Sequence, residues 1–313
     1  MVHLPLSGLD DQERDRVSDR LPPVVDAHVH VFPDALFDAV WCWFDRFGWP
    51  IRYRLYSEPL LGFLFQRGIR HVVALQYAHK PGVARELNRY MAALIHKHPD
   101  RISGLATVFP GEPGARRLLE ESFRSGLKGV KLHSHVQCFT MNSPGMHEIY
   151  GLCSEHDKPL VIHAGREPKS PAYACDPYEI CHWTFVKRVL DAYPDLKLVV
   201  PHLGADEFDA YRRLQEHYDH LWLDTTMVLA DYLPGADPPD IRRLRGDRLM
   251  FGTDFPNIPY AWDRELRKIE RLQLETDFLR QLLSDTARAL FQFDLSVDDP
   301  EPITPLEDAH GHG

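Results

Sequence analysis

Apolar residues along the chain fall into short unbroken runs. Between the runs lie longer stretches in which they return every three or four positions. The runs occupy 24–32, 70–76, 101–108, 129–135, 159–165, 196–204, 221–225 and 247–254. Runs without strict alternation suit strands buried on both faces, as in a parallel sheet. The intervening spacing is helical. In 82–98, for example, Val83, Leu87, Tyr90, Met91, Leu94 and Ile95 share one face. The same pattern predicts helices over 114–125 (closed by Gly126), 145–157, 177–193, 206–218, 261–274 and 277–291, with a short one before 247. The last long helix is expected to break near Ser284, acting as a cap. Eight strands alternating with helices predict an α/β fold, a single-domain (β/α)8 TIM barrel over 23–293.

The pattern breaks in three places. Residues 1–22 read as a loose N-terminal arm with a short charged helix around 10–20. Residues 31–68, directly after the first strand, form an insertion rich in aromatics, among them Phe37, Trp41, Trp43, Trp49, Tyr53 and Phe63. Loops that follow barrel strands sit over the catalytic end. The insertion is therefore either a lid-like wall or packing against the barrel or a second subunit, which leaves a homodimer open. Residues 294–313 read as an extended tail rich in Pro and Asp.

With 44% apolar residues the 313-residue chain can build a large core. A formal charge of -10 argues against nucleic acid or an anionic membrane as partner. The first twenty residues lack the apolar core of a secretory signal, and no run approaches a membrane span. The five cysteines are scattered without a Cys-x-x-Cys pair. That usage predicts a reduced, cytoplasmic protein.

The polar residues at the run ends carry the candidate chemistry. In a strand, Asp26, His28 and His30 project to one face. Two imidazoles so placed can hold a divalent ion, although the pair alone is a weak motif. Lys131, His133 and His135 share a face on the fourth run. His163 ends the fifth run, His202 the sixth and Asp254 the eighth. All lie at C-terminal strand ends, the catalytic rim of such barrels, and together they point to a shared metal-centred site. His96, His98, His217, His220, His310 and His312 read as solvated. Arg166 and Lys169 are candidates to grip a substrate carboxylate, with a solvated loop charge as the equal alternative. Asp224 and Thr225 face the same end without an assigned role.

These stretches also carry a resemblance. Asp26-x-His28-x-His30, Gly129-x-Lys131-Leu132-His133, Ile162-His163-Ala164-Gly165, Pro201-His202-Leu203-Gly204 and Phe251-Gly252-Thr253-Asp254-Phe255-Pro256 resemble the amidohydrolase superfamily. Within it they resemble the amidohydrolase-related branch of metal-dependent TIM-barrel hydrolases and decarboxylases, which includes aminocarboxymuconate semialdehyde decarboxylase. The likeness spans about residues 24–293. It implies that His28, His30, His163 and Asp254 bind one divalent metal ion, Zn2+ first and Mn2+ as the alternative. Asp254 would be the general base, and His202 would stabilise charge on the substrate or orient water. Lys131 is read as a substrate contact or salt bridge, the alternative being a carboxylated lysine that bridges two ions. His133 would touch a substrate oxygen or add a ligand. The reaction expected first is hydrolysis, with metal-activated water attacking a small amide, imide, lactone or ester carbonyl. The alternative is metal-dependent non-oxidative decarboxylation of an aromatic or unsaturated carboxylic acid. The expected partner is a small-molecule substrate that could be anionic.

Overall fold

A computed structural model describes residues 8–166, 171–232 and 239–295. Eight strands appear: β1 (Val24–His30), β2 (Ile69–Leu75), β3 (Ile102–Gly104), β4 (Val130–His133), β5 (Leu160–His163), β6 (Leu198–Val200), β7 (Leu221–Asp224) and β8 (Leu249–Met250). They form two parallel sheets in chain order, β1-β2-β3 and β4 through β8. Single parallel bridges mark both seams between the sheets. Ala106 meets Val130 at one, and Val29 meets Phe255 at the other. At the second seam, Ala27 N donates to Phe251 O and His30 N to Phe255 O. The strand order thus runs around a (β/α)8 barrel, as the alternating runs predict.

Among the described residues, twelve α-helices connect or flank the strands: α1 (Asp34–Phe47), α2 (Ser57–Gln66), α3 (Ala84–Lys97), α4 (Ala115–Arg124), α5 (Ser134–Gln137), α6 (Pro144–Glu155), α7 (Pro177–Ile180), α8 (Trp183–Ala192), α9 (Phe208–His217), α10 (Arg264–Leu272), α11 (Thr276–Arg280) and α12 (Thr286–Phe291). Alternating strand positions divide between two buried clusters. Val24, Val72, Leu160 and Leu198 join the larger one, shared with the helices. Val25, Val73, Val161, Val199 and Met250 meet inside the ring, where Ala287, Leu290 and Phe291 pack against them. Two opposed apolar faces explain why the runs do not alternate.

Three expectations change. Residues 10–20 form no helix. Their charges pair with distant elements instead of with one another along a helix face. Asp11 meets Arg264 at 3.0 Å, Arg14 meets Glu270 at 2.8 Å, and Glu13 meets Arg52 at 3.2 Å. Val17 N donates to Arg67 O, so this arm is fastened to the insertion. The helix expected over 177–193 is split at Cys181–His182, and the His182 ring accepts from Thr184 N to cap α8. Ser284 is no cap. It sits in a π-turn, Gln281–Asp285, that joins α11 to α12, and its hydroxyl donates to Arg280 O.

Within 31–68 lie α1 and α2. Phe63 stacks on Phe255 at 5.3 Å, and the Trp49 indole donates to Asn257 O, so much of the aromatic content packs onto the segment after β8. Among the described residues no helix is long and apolar enough to cross a membrane. Lys169 and the tail beyond residue 295 lie outside the described residues.

Candidate metal centre

The site begins where β1 and β8 meet. His28 and His30 end β1, and both direct Nε2 at Oδ1 of Asp254, at 3.4 and 3.0 Å. One donor atom from each of the three lies within 4.8 Å of the others. Asp254 follows β8 with a left-handed φ of 70°, and its N–H donates to His28 O. Asp26, expected on the same face, does not join the group. Its Oδ1 accepts from the N–H groups of His28 and Thr253, and its Oδ2 from the Thr253 hydroxyl at 2.6 Å. It straps β1 to the turn that carries Asp254. Burial pushes its carboxyl up to about 7, against the Thr253 bond. Gly252 is required by close approach. A Cβ there would lie 2.5 Å from Thr226 Oγ1 and 2.7 Å from His28 Cβ.

Hydrogen bonds behind the cluster set the tautomers. His28 Nδ1 lies 2.8 Å from Asp224 Oδ2. Burial alone would lift the Asp224 carboxyl, but the charge and bond of His28 outweigh it and hold it below the usual range. A carboxylate only accepts, so Nδ1 carries the proton and Nε2 presents a lone pair to the cluster. Asp224 Oδ1 accepts from His202 N at 3.0 Å and Thr226 N at 3.2 Å. His202 Nδ1 lies 3.0 Å from Thr226 O, which also only accepts. In a neutral His202, Nε2 then accepts from His163 Nδ1 at 3.2 Å. That leaves Nε2 of His163 as an acceptor nitrogen too. Sequence reasoning placed Asp224 at the right end of β7 but gave it no role. Its position at a run end was the only available signal.

The charges suit a divalent cation. Burial, with Lys131 adding, pushes His28 down to about 3. Burial also lowers His30, against its bond to Asp254, and takes His133 well below the ordinary range. For Asp254, burial acts upward, yet His30 and His28 hold the carboxyl below its usual range. Neutral imidazoles beside an ionised carboxylate are the donor set such an ion takes. A carboxylate behind His28 is the usual support for a ligating imidazole.

The other candidates surround this group. His163 lies outside the set of three, its ring 4.6 Å from that of His202 and stacked at 4.1 Å on His133. His133 Nδ1 is buried without a hydrogen-bond partner. Lys131 is fully buried, with Nζ 3.4 Å from His28 Nε2. Burial brings its ammonium down to about 8, against the pull of Asp224 and Asp254. Arg166 is engaged by the buried Glu207, Nε to Oε1 at 3.0 Å, and His182 Nε2 meets the same oxygen at 3.2 Å. Two aromatic neighbours were missed. Tyr77, just past β2, stands edge-on to His30 at 5.6 Å and to His133 at 5.1 Å. Tyr173 stacks on Trp43 of the insertion at 5.8 Å and lies 5.5 Å from the His135 ring. Of the three clustered side chains Asp254 is the most exposed, at 13%.

Comparison with known proteins places the chain in a family. The family model described as Amidohydrolase matches residues 25–293. No curated protein matches the chain. Among solved structures, 5-carboxyvanillate decarboxylase of Novosphingobium aromaticivorans, complexed with manganese and 4-hydroxy-3-methoxy-5-nitrobenzoic acid, superposes with a TM-score of 0.63 at 17% identity. The match covers 90% of this chain and 99% of that one. The 5-carboxyvanillate decarboxylase of Sphingomonas paucimobilis gives 0.60 at 18% identity, over 87% and 99%. A 2,6-dihydroxybenzoate decarboxylase bound to 2,6-dihydroxybenzoate gives 0.61 at 16%, over 87% and 100%.

Proposed function

The chain belongs to the amidohydrolase family, and from that premise we propose that it is a metal-dependent, non-oxidative decarboxylase of an aromatic or unsaturated carboxylic acid. His28, His30, His163 and Asp254 are the proposed ligands, with Mn2+ or Zn2+ as the ion. What carries the reading is the set of flat, neutral rings that flanks the cluster. His133 lies parallel to His163 with 7° between planes, and Tyr77 stands edge-on to His133 and His30. Such walls suit a planar substrate, since offset and edge-on ring contacts add to apolar burial. The decarboxylases among the structural neighbours support the same choice.

A divalent ion held there would act as a Lewis acid on the substrate carboxylate and a neighbouring oxygen. The chain's own residues supply the rest. Asp254, ionised in the free site, is the proton carrier: it takes a proton from solvent when an anionic carboxylate is brought beside it, because like charges resist joint ionisation. Its proton passes to the carbon that bears the carboxylate, the C–C bonding pair stays on that carbon, and carbon dioxide leaves. Asp254 is left ionised and regains a proton from solvent. His202, held by Asp224 and Thr226, keeps His163 in its tautomer. His133 offers its buried nitrogen to a substrate oxygen. Trp43 of the insertion, with Tyr173, forms the aromatic wall that selects the substrate.

Hydrolysis of a small amide, imide, lactone or ester is a second reading, favoured by one feature. Lys131, when protonated, places a positive charge beside the cluster, where it would stabilise an oxyanion. One experiment separates the two. Metal-loaded protein is incubated with hydroxylated aromatic carboxylates and, in parallel, with lactones and imides, in D2O and in H2(18O). Loss of carbon dioxide with a solvent deuterium on the product carbon is expected. Products that only gain water with its 18O would replace the proposal with hydrolysis. Asp254→Asn should lower turnover roughly 10²–10⁴-fold.

A further inference from the structure

We propose that Cys138 and Cys175 are a modification site, a reversible disulfide formed on exposure to a hydroperoxide, which ties the loop after β4 to the loop after β5. All five thiols are unlinked in the structure. These two converge. Cys138 Sγ lies 3.5 Å from His135 O, and Cys175 Sγ lies 3.4 Å from the same oxygen. Sharing one acceptor brings the two sulfurs together, and Cys138 is among the groups that raise the Cys175 thiol. Cys138 closes α5 in a left-handed conformation, φ 49°, and is exposed; Cys175 is half-buried. The other cysteines differ. Cys153 and Cys181 are buried, and Cys42 is exposed on α1.

Exposure and protonation assign the order of events. Burial, with Cys138 adding, pushes the Cys175 thiol up to about 12, so it keeps its proton. Cys138 is the sulfur that solvent oxidants reach first. It attacks the O–O bond of hydrogen peroxide and takes up a hydroxyl; the hydroxide released leaves as water with the Cys138 proton. Cys175 then attacks the Cys138 sulfur. The S–S bond forms, the S–O bond breaks, and hydroxide leaves as water with the Cys175 proton. Two thiols are oxidised and one peroxide is reduced to two waters. The cross-link binds the segment carrying Tyr173 to α5. Tyr173 touches both Trp43 and the His135 ring, and that ring lies 4.7 Å from His163. Oxidation therefore restrains a loop whose Tyr173 packs on the His135 ring beside His163.

The test reads the bond itself and does not depend on the reaction catalysed. The full-length, metal-loaded protein is treated with hydrogen peroxide and denatured. Remaining thiols are alkylated, and the protein is digested without reductant for mass mapping. Two of the five thiols should become unavailable to the alkylating reagent, recovered as one peptide linking Cys138 to Cys175. Dithiothreitol should restore them, and Cys42→Ser should leave the link intact. In Cys175→Ser, Cys138 should go on to the sulfinic acid at a peroxide dose that stops at the disulfide in the unmodified chain. Recovery of Cys175 alkylated while Cys138 is a sulfinic acid or linked to Cys42 would overturn the proposal. So would all five thiols remaining available.

Discussion

Asp224 illustrates how much one carboxylate can organise. It accepts from the His28 ring, from His202 N and from Thr226 N, and so sets a tautomer on β1 and the backbone after β6 together. In Asp224→Asn an amide N–H2 must face either the His28 Nδ1–H or the two backbone N–H groups. Either orientation sets donor against donor, and the first drives the imidazole to the tautomer whose Nε2 carries hydrogen. Metal affinity should fall about 10–100-fold with the far-ultraviolet circular dichroism unchanged; a chelator-competition titration measures it, and unaltered affinity would remove Asp224 from this role. At this scale the place of His28, His30 and Asp254 at strand ends was legible from the apolar runs, but strand parity put Asp26 with them as well, and the structure leaves it out. The role of Asp224 was not legible, because its partner lies 196 positions away. Arg166 was legible as a charge, but its engagement by Glu207 was not.

Elements bring the second half of the site together through glycine. Gly165, after β5, has a φ of 100°, and a Cβ on it would lie 2.3 Å from Gly204 O, after β6. The two loop backbones touch there, which leaves His163 within hydrogen-bond reach of His202. Gly165→Ala adds left-handed strain to that clash, a cost of about 1–3 kcal/mol for the strain alone. The thermal midpoint should drop roughly 1–5 °C, read by calorimetry, and an unchanged midpoint would show that the loops part without strain. Strand and helix positions were largely legible from apolar spacing. The helix expected at 10–20 failed because charge-rich segments fold against whichever partners the tertiary structure supplies.

Across the whole molecule, His71 ties early and late chain together. From β2 its Nε2 meets Ser103 Oγ on β3 at 2.9 Å, and its ring stacks at 3.7 Å on Phe293, beyond α12. Burial pushes this imidazole down to about 3. A depressed folded value means the unfolded chain binds the proton more tightly. The contribution of His71 is therefore intact above the ordinary imidazole range near 6.5 and is lost as pH falls from there towards 3, by at most about 1.4 kcal/mol per pH unit. The destabilisation caused by His71→Gln should accordingly be largest near pH 8 and shrink by pH 4, measured as urea midpoints at both; a constant difference would sink the argument. Removal of metal acts on the same global equilibrium. A chelator should lower the thermal midpoint reversibly, and metal at a hundredfold excess over its Kd should restore about 2.7 kcal/mol.

The order of strands and helices, the barrel they build and the strand ends that carry histidine and aspartate were determined by the sequence itself. Each is a consequence of local periodicity and of which residues a strand turns to one face. Only the tertiary structure decided which nitrogen of each imidazole faces the cluster, that Asp26 straps β1 to the turn after β8, and that two distant thiols share the His135 carbonyl. Those outcomes depend on hydrogen-bond partners from elements far apart in the chain, and such partners exist only once the ring of strands has brought the elements together.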